Sequence, residues 1–156
     1  MSELASIVYK PKDAQSSAEG YTRVPLQQAQ LVAGYGIEGD AKGGARNRNL
    51  NIMSAGVKER LGSEGFRAAA GQLGEQLTIA GLEVEALPSG TRLQIGATAC
   101  VELTEPRTGC ATFERHQSKP RQEAAGRLGM MAQVVEGGMI RVGDPVRVLE
   151  TANAAQ

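Results

Sequence analysis

Ala97-Thr-Ala-Cys-Val-Glu-Leu-Thr-Glu-Pro-Arg-Thr-Gly-Cys110 alternates small or aliphatic side chains with polar ones and then breaks at a proline and a glycine. Strict alternation is the mark of a strand with one buried face. It puts Ala97, Ala99, Val101 and Leu103 on one side, and Thr98, Cys100, Glu102 and Thr104 on the other. The break delivers a second thiol, Cys110, just past the strand end. Reactive groups are disproportionately carried on loops held by a rigid scaffold. Arg107, Arg115 and the single histidine, His116, lie within six residues of it. Positive charge favours the thiolate, the form that attacks electrophiles and binds metals. A small buried apolar residue is the commoner fate of a cysteine, but these surroundings are polar.

Working outward, the same strand-and-turn grammar covers most of the chain. Leu4 to Lys10, Arg23 to Leu26 and Gln28 to Ala33 read as strands, with a polar loop over Pro11 to Gly20. Leu50 and Ile52 alternate with asparagines, as a half-buried strand would. Ser54 is placed to cap a short helix ending near Leu61, and a second short helix is expected from Ser63 to Ala70. Strands follow at Gln76 to Ile79, Thr91 to Ile95, Met131 to Val135, Met139 to Val142 and Val146 to Leu149. Helical turns are expected at Phe113 to Gln117 and Arg121 to Arg127. Short strands at regular spacing with turn signals favour a barrel. The predicted core comprises Ala99, Val101, Leu103, Val134, Val146 and Val148.

Composition narrows the function classes. The 156 residues suit one domain, with a core of about 24–149 and a polar tail at 151–156. Seventeen basic side chains balance seventeen acidic ones, so no net field draws the chain to nucleic acid or acidic lipid. With five aromatic residues it also lacks the stacking platform of an RNA binder. Cys100 and Cys110 do not make a disulfide scaffold. No apolar stretch is long enough to span a bilayer, and the N-terminus has no signal-peptide character, so a cytoplasmic location is expected. Glycine is enriched to 20 residues, about twice the typical ~7%, and five fall between Gly34 and Gly44.

That glycine-rich stretch contains Gly34-Tyr-Gly-Ile-Glu-Gly39, a letter match to the dinucleotide fingerprint. The fingerprint needs a helix to open there, and Asp40-Ala-Lys-Gly-Gly-Ala-Arg-Asn-Arg48 is too rich in glycine to form one. No phosphate-loop pattern and no zinc spacing is present. Lys42, Arg46 and Arg48 are nonetheless suited to an anion, because a glycine-rich turn offers backbone N–H groups and arginine binds phosphate bidentately.

Six segments together resemble the MOSC domain family, named for the C-terminal domain of molybdenum cofactor sulfurase. They are Gly36-Ile-Glu-Gly-Asp40, Arg48-Asn-Leu-Asn-Ile52, Gly71-Gln-Leu-Gly-Glu-Gln-Leu-Thr78, Leu87-Pro-Ser-Gly-Thr-Arg-Leu-Gln-Ile-Gly96, Glu105-Pro-Arg-Thr-Gly-Cys110 and Gly137-Gly-Met-Ile-Arg-Val-Gly-Asp144. They occur in the family's order and span roughly Val24 to Leu149. The resemblance implies a mainly β fold, a closed or partly closed barrel like that of pyruvate kinase, with a few short peripheral helices. It implies that Cys110 is the functional cysteine, either as thiolate ligand to the molybdenum of a pterin cofactor or as a persulfide carrier. The first role belongs to proteins that reduce N-hydroxylated bases and amidoximes with an electron-donor partner. The second serves metal–sulfur cluster or cofactor assembly and draws on a cysteine desulfurase. A binding module without turnover is the third alternative, and the family also carries a general association with pyridoxal phosphate.

Asp40, Arg48 and Glu75 are candidate cofactor-binding residues by the same resemblance; Lys42, Arg46 and Arg107 join Arg48 as candidate cationic partners for the cofactor's phosphate, and Asn49 beside Arg48 completes the candidate set. The chain departs from the family pattern at three places. Lys42 stands where the family often has histidine, Gln76 where it has asparagine after glutamate, and Arg48-Asn-Leu-Asn51 replaces Arg-Gln-Val-Ser. Lysine keeps a positive charge but loses the imidazole's acid–base range.

Overall fold

The computed structural model describes residues 1–12 and 23–150. The loop expected over 11–20 therefore falls mostly, and the tail over 151–156 wholly, outside the described residues. Eleven strands are described: β1 Glu3–Tyr9, β2 Val24–Leu26, β3 Gln28–Val32, β4 Gly36–Ile37, β5 Leu50–Ser54, β6 Leu77–Ala80, β7 Arg92–Ile95, β8 Ala99–Pro106, β9 Met130–Glu136, β10 Gly138–Arg141 and β11 Val146–Glu150. Two α-helices, α1 Ala55–Ser63 and α2 Ala111–Gln117, and two 3-10 turns, Val84–Ala86 and Arg121–Ala124, complete the described elements.

The protein is mainly β. Eight strands form one mixed sheet in the order β11-β7-β8-β9-β5-β6-β1-β2, and β10-β3-β4 form a second. Only the β5–β6 pairing is parallel among the described ladders. The large sheet curls until its ends touch: Leu4 N–H bonds Asp144 O at 2.8 Å and Val146 N–H bonds Ser2 O at 3.0 Å. Contact stops at the single bridge between Glu3 and Pro145, so the expected barrel is met only as a large curled sheet. The physical reason is competition for one strand edge. β2 pairs with Ile7 to Tyr9 on that edge of β1, and Pro145 has no N–H to extend a ladder.

The concave face encloses one apolar cluster, including Leu4, Ile7, Leu50, Ile52, Leu77 and Val101. A second cluster lies under the helices and joins Met53, Val57, Leu61, Phe66, Leu73, Phe113 and Leu128. β5 is the wall between them. Leu50 and Ile52 face the first cluster and Met53 the second, so all five of its residues are buried. The half-buried strand expected here is thus covered on both sides, and Asn49 and Asn51 are buried with it.

Two further expectations are corrected. No second helix forms over Ser63 to Ala70. Ser63 ends α1, Glu64 and Phe66 N–H both bond back to Leu61 O, and the chain then drops Phe66 against Phe113, 6.3 Å between ring centroids. Of the predicted core, Ala99, Val101, Leu103, Val134 and Val146 are buried, but Val148 is 42% exposed. β11 is the end strand of its sheet, laddered to β7, and past Val146 its described side chains are exposed. Ser54 occupies the N-cap position of α1 without a side-chain cap bond. Its Oγ donates to Glu85 and accepts Val84 N–H instead.

Candidate functional site

β8 carries the chain out of the sheet at Pro106, and Cys110 follows at the N-cap of α2 with extended backbone. Cys110 is exposed, whereas Cys100 is buried in β8. Burial pushes the Cys100 thiol up from its ordinary range; the Arg92 charge opposes this, and Glu136 and Glu102 add smaller upward contributions. The two thiols are therefore chemically unequal, and only Cys110 is placed to meet a solute.

The loop before Cys110 is held by backbone and cation together. Arg107 N–H bonds Gly129 O at 3.0 Å. Its guanidinium donates to Leu73 O and lies 5.7 Å from the centroid of Phe113. Gly129 is needed at that crossing: a Cβ there would stand 2.3 Å from Ile52 O and 2.9 Å from Asn51 Oδ1, at a φ of +86°. The far end of α2 is clasped to the 67–72 loop. His116 Nε2 meets Gln72 Oε1 at 2.6 Å, while Gln117 accepts Arg67 N–H at 2.7 Å and donates to Gln72 O at 3.0 Å. His116, only 6% exposed, is thus a fastening of the helix. Arg115 points outward to Thr112 Oγ1 at 3.2 Å.

The glycine-rich loop meets the same end of the sheet. Thr104 Oγ1 donates to Asn47 O at 2.5 Å, and Arg48 Nε is 3.7 Å from Glu105 Oε1. Lys42, Arg46 and Arg48 are exposed on it. The remaining candidates lie inside. Asp40 is fully buried and accepts Lys10 N–H and Lys42 N–H at 3.1 Å each, and Gln76 Nε2–H at 3.3 Å. Asn49 donates to Gly34 O and Ala45 O and accepts Val134 N–H at 2.9 Å. Glu75, also fully buried, accepts Lys58 Nζ–H at 2.6 Å, Gly71 N–H at 2.8 Å and Leu73 N–H at 3.2 Å. These three spend their bonding capacity on the protein and shape the loops that carry Arg107 and the exposed cations. So the candidates separate into an exposed set (Cys110, Lys42, Arg46, Arg48), half-buried Arg107, and a buried supporting set (Asp40, Asn49, Glu75).

Two residues outside the sequence-derived set belong here. Asn51 is 2% exposed, and neither atom of its side-chain amide has a hydrogen-bond partner. It stands in β5 against Gly129, beneath the point where Gly129 holds Arg107. Buried amides are nearly always satisfied, so an orphan of this kind marks a place that accepts a further polar group. Its only signal in the sequence is the departure from serine in the family pattern. Arg121 is the other. Its Nη1 donates to Gly109 O at 3.0 Å, its Nη2 to Glu114 Oε1 at 3.1 Å, and its N–H to Glu114 Oε2 at 2.9 Å. Eleven positions after Cys110, with a proline between, nothing local in the sequence brings it back. Among the described residues no group of three or more His, Cys, Asp or Glu is arranged to hold a metal ion, and no helix is long and apolar enough to cross a membrane.

The family model for the MOSC domain matches residues 50–147, more than half of the chain. No curated protein matches. Among solved structures, YiiM from Geobacillus stearothermophilus superposes with a TM-score of 0.74 at 21% identity, over 96% of this chain and 76% of that one. The YuaD protein from Bacillus subtilis gives 0.75 at 20% identity, over 95% and 96%. YiiM from Escherichia coli gives 0.72 at 19% identity, over 97% and 71%. At these identities the likeness is one of fold.

Proposed function

The chain belongs to the MOSC domain family, and we propose that Cys110 is its thiolate ligand for a molybdenum–pterin cofactor, in a protein that supports reduction of N-hydroxylated substrates. The observation that carries this is the exposed thiol at the end of β8, fixed on both sides by Arg107 and α2. Soft thiolate ligands suit a soft metal centre. The fit rests on the donor set as well. The buried side-chain amide of Asn51, beneath the Gly129–Arg107 crossing, has an unpaired donor and acceptor, and the exposed cations of the glycine-rich loop suit a phosphate.

The bound group would supply the two-electron reduction of an N–O bond, with electrons from an external donor protein. The chain's own work is to bind and orient. Arg46 and Arg48 hold negative charge at the loop, Lys42 adds a third cation, and Asp40 and Asn49 keep the loop's backbone in place from below. Glu75 orders Gly71 to Leu73, whose carbonyl fixes Arg107. Arg107 in turn keeps the Thr108–Gly109 segment, and so the Cys110 sulfur, aimed outward.

The test is elemental analysis of protein purified from a host that makes the pterin cofactor. About one molybdenum per chain is expected, lost in Cys110→Ala, together with amidoxime or 6-hydroxylaminopurine reduction in the presence of a chemical reductant. Arg48→Ala should weaken cofactor binding by about 1.5–3 kcal/mol, the range of a hydrogen bond to a charged group. Protein that retains no molybdenum but accumulates sulfane sulfur on Cys110 from a cysteine desulfurase would overturn this reading in favour of a sulfur carrier.

A further inference from the structure

Asn51 is a buried amide with nothing to bond. It is 2% exposed, and neither its Oδ1 nor its Nδ2 has a hydrogen-bond partner. Its backbone makes no use of that side chain: Asn51 N–H donates to Gln76 Oε1 at 2.8 Å, and Asn51 O accepts Gln76 N–H at 2.9 Å. Gln76 spends its own side-chain N–H on Asp40 Oδ2, so that neighbour is committed. Taking an amide out of water without replacing its bonds is costly, and an apolar side chain would fill the place without that cost. Sheet register gives the surroundings. Asn51 pairs with Met131 on β9, and Met131 with Glu105 on β8, so the three side chains stand in a row on one face. Glu105 meets Arg48 at 3.7 Å, and β8 runs on from Glu105 into the loop that ends at Cys110. Gly129 lies against the amide, where a Cβ would stand 2.9 Å from Asn51 Oδ1, and its carbonyl accepts Arg107 N–H at 3.0 Å. One end of the sheet thus gathers exposed cations, an exposed thiol and an unpaired amide beside a thioether.

We infer that Asn51 binds the pyrimidine edge of the pterin ring, with Oδ1 accepting from the ring N–H and Nδ2–H donating to the ring carbonyl beside it. The inference rests on the pterin-cofactor reading above and assigns a partner to the part of that group which neither a thiolate nor a cation recognises. A primary amide matches a cyclic amide donor to acceptor, as asparagine matches the edge of a nucleobase. The family pattern has serine at this position, with a single hydroxyl in place of a separate donor and acceptor, so the device belongs to this chain. The polarizable sulfur of Met131 suits the flank of an aromatic ring, and its flexible stem is what yields when a ring edge reaches an amide that is closed to water in the free chain.

The experiment uses the full chain, made in a host without the cofactor, with pterin-6-carboxylate as the probe. The side-chain amide protons of Asn51, assigned in a proton–nitrogen correlation spectrum by their absence from Asn51→Leu, are expected to shift as the probe is titrated. Blocking the ring donor in the N3-methyl derivative should weaken binding about tenfold or more, and so should Asn51→Leu or Asn51→Ser, because two neutral hydrogen bonds are lost. Without probe, Asn51→Leu is expected to melt no lower than the unaltered chain, since it removes an amide that has no partner there. Guanosine monophosphate carries the same 2-amino-4-oxopyrimidine edge and is titrated in parallel; a shift with it but not with the pterin overturns the assignment. No amide shift at millimolar probe overturns it too, as does equal binding of the N3-methyl derivative, and neither result depends on a variant folding. An Asn51→Leu chain that melts lower yet binds the probe as before would make Asn51 a structural residue holding an internal water. Molybdenum bound through Cys110 with none of these effects would sink this inference alone. Pterin binding at Asn51 in a chain that never retains molybdenum would sink the thiolate reading alone.

Discussion

Glu75→Gln separates a supporting role from a cofactor-binding one. Glu75 is fully buried and its Oε2 lies 2.6 Å from Lys58 Nζ, whose side chain is 10% exposed. The substitution keeps the shape but removes the charge, and leaves the Lys58 ammonium with Thr78 Oγ1 at 3.3 Å. Breaking a buried pair from one side costs about 3–5 kcal/mol, against a total stability of roughly 5–15 kcal/mol for a domain of this kind. At roughly 2–4 °C per kcal/mol for chains of this size, the melting temperature should fall by about 6–20 °C. Urea unfolding followed by circular dichroism measures the loss. Lys58→Met should cost a comparable amount, and the double variant should be markedly less destabilised than the sum, because no uncompensated charge is left. A loss below about 1 kcal/mol in Glu75→Gln, accompanied by weakened cofactor binding, would refute the supporting role and return Glu75 to the binding site.

The two thiols should differ in the same protein: iodoacetamide modifies Cys110 first at neutral pH. Because burial raises the Cys100 thiol, its thiolate forms only as pH climbs beyond the ordinary thiol range, so its labelling should lag and keep rising there; equal rates at both cysteines would contradict this. Gly129→Ala places a Cβ 2.3 Å from Ile52 O at a positive φ, a strain of about 1–2 kcal/mol plus roughly 1–3 kcal/mol of overpacking. Its unfolding midpoint should drop accordingly, and wild-type stability would show that the Arg107 loop does not depend on that close crossing.

The amino-acid sequence by itself determined the strands of β7, β8 and β9, the exit of the chain at Pro106, and the family through its ordered motifs. All of these are written in neighbouring positions, where a period of two or a turn residue acts on the backbone directly. Cys110 was legible for the same reason, since the strand and the break that deliver it are contiguous. What only the tertiary structure decided is which candidates lie exposed and which are buried against the protein. Asp40 meets Gln76 across 36 positions, Asn49 meets Val134 across 85, and Glu75 meets Lys58 across 17. Such bonds depend on sheet order and register, which no local pattern encodes. β5 makes the point most sharply: Asn51 reads as part of the wet face of a strand, yet a second apolar cluster covers that face and leaves its side-chain amide buried without a hydrogen-bond partner. Arg121 reaches Gly109 for a kindred reason. Gly109 has no side chain in the way, and the turn after α2 folds the arginine back to a place that distance along the chain conceals.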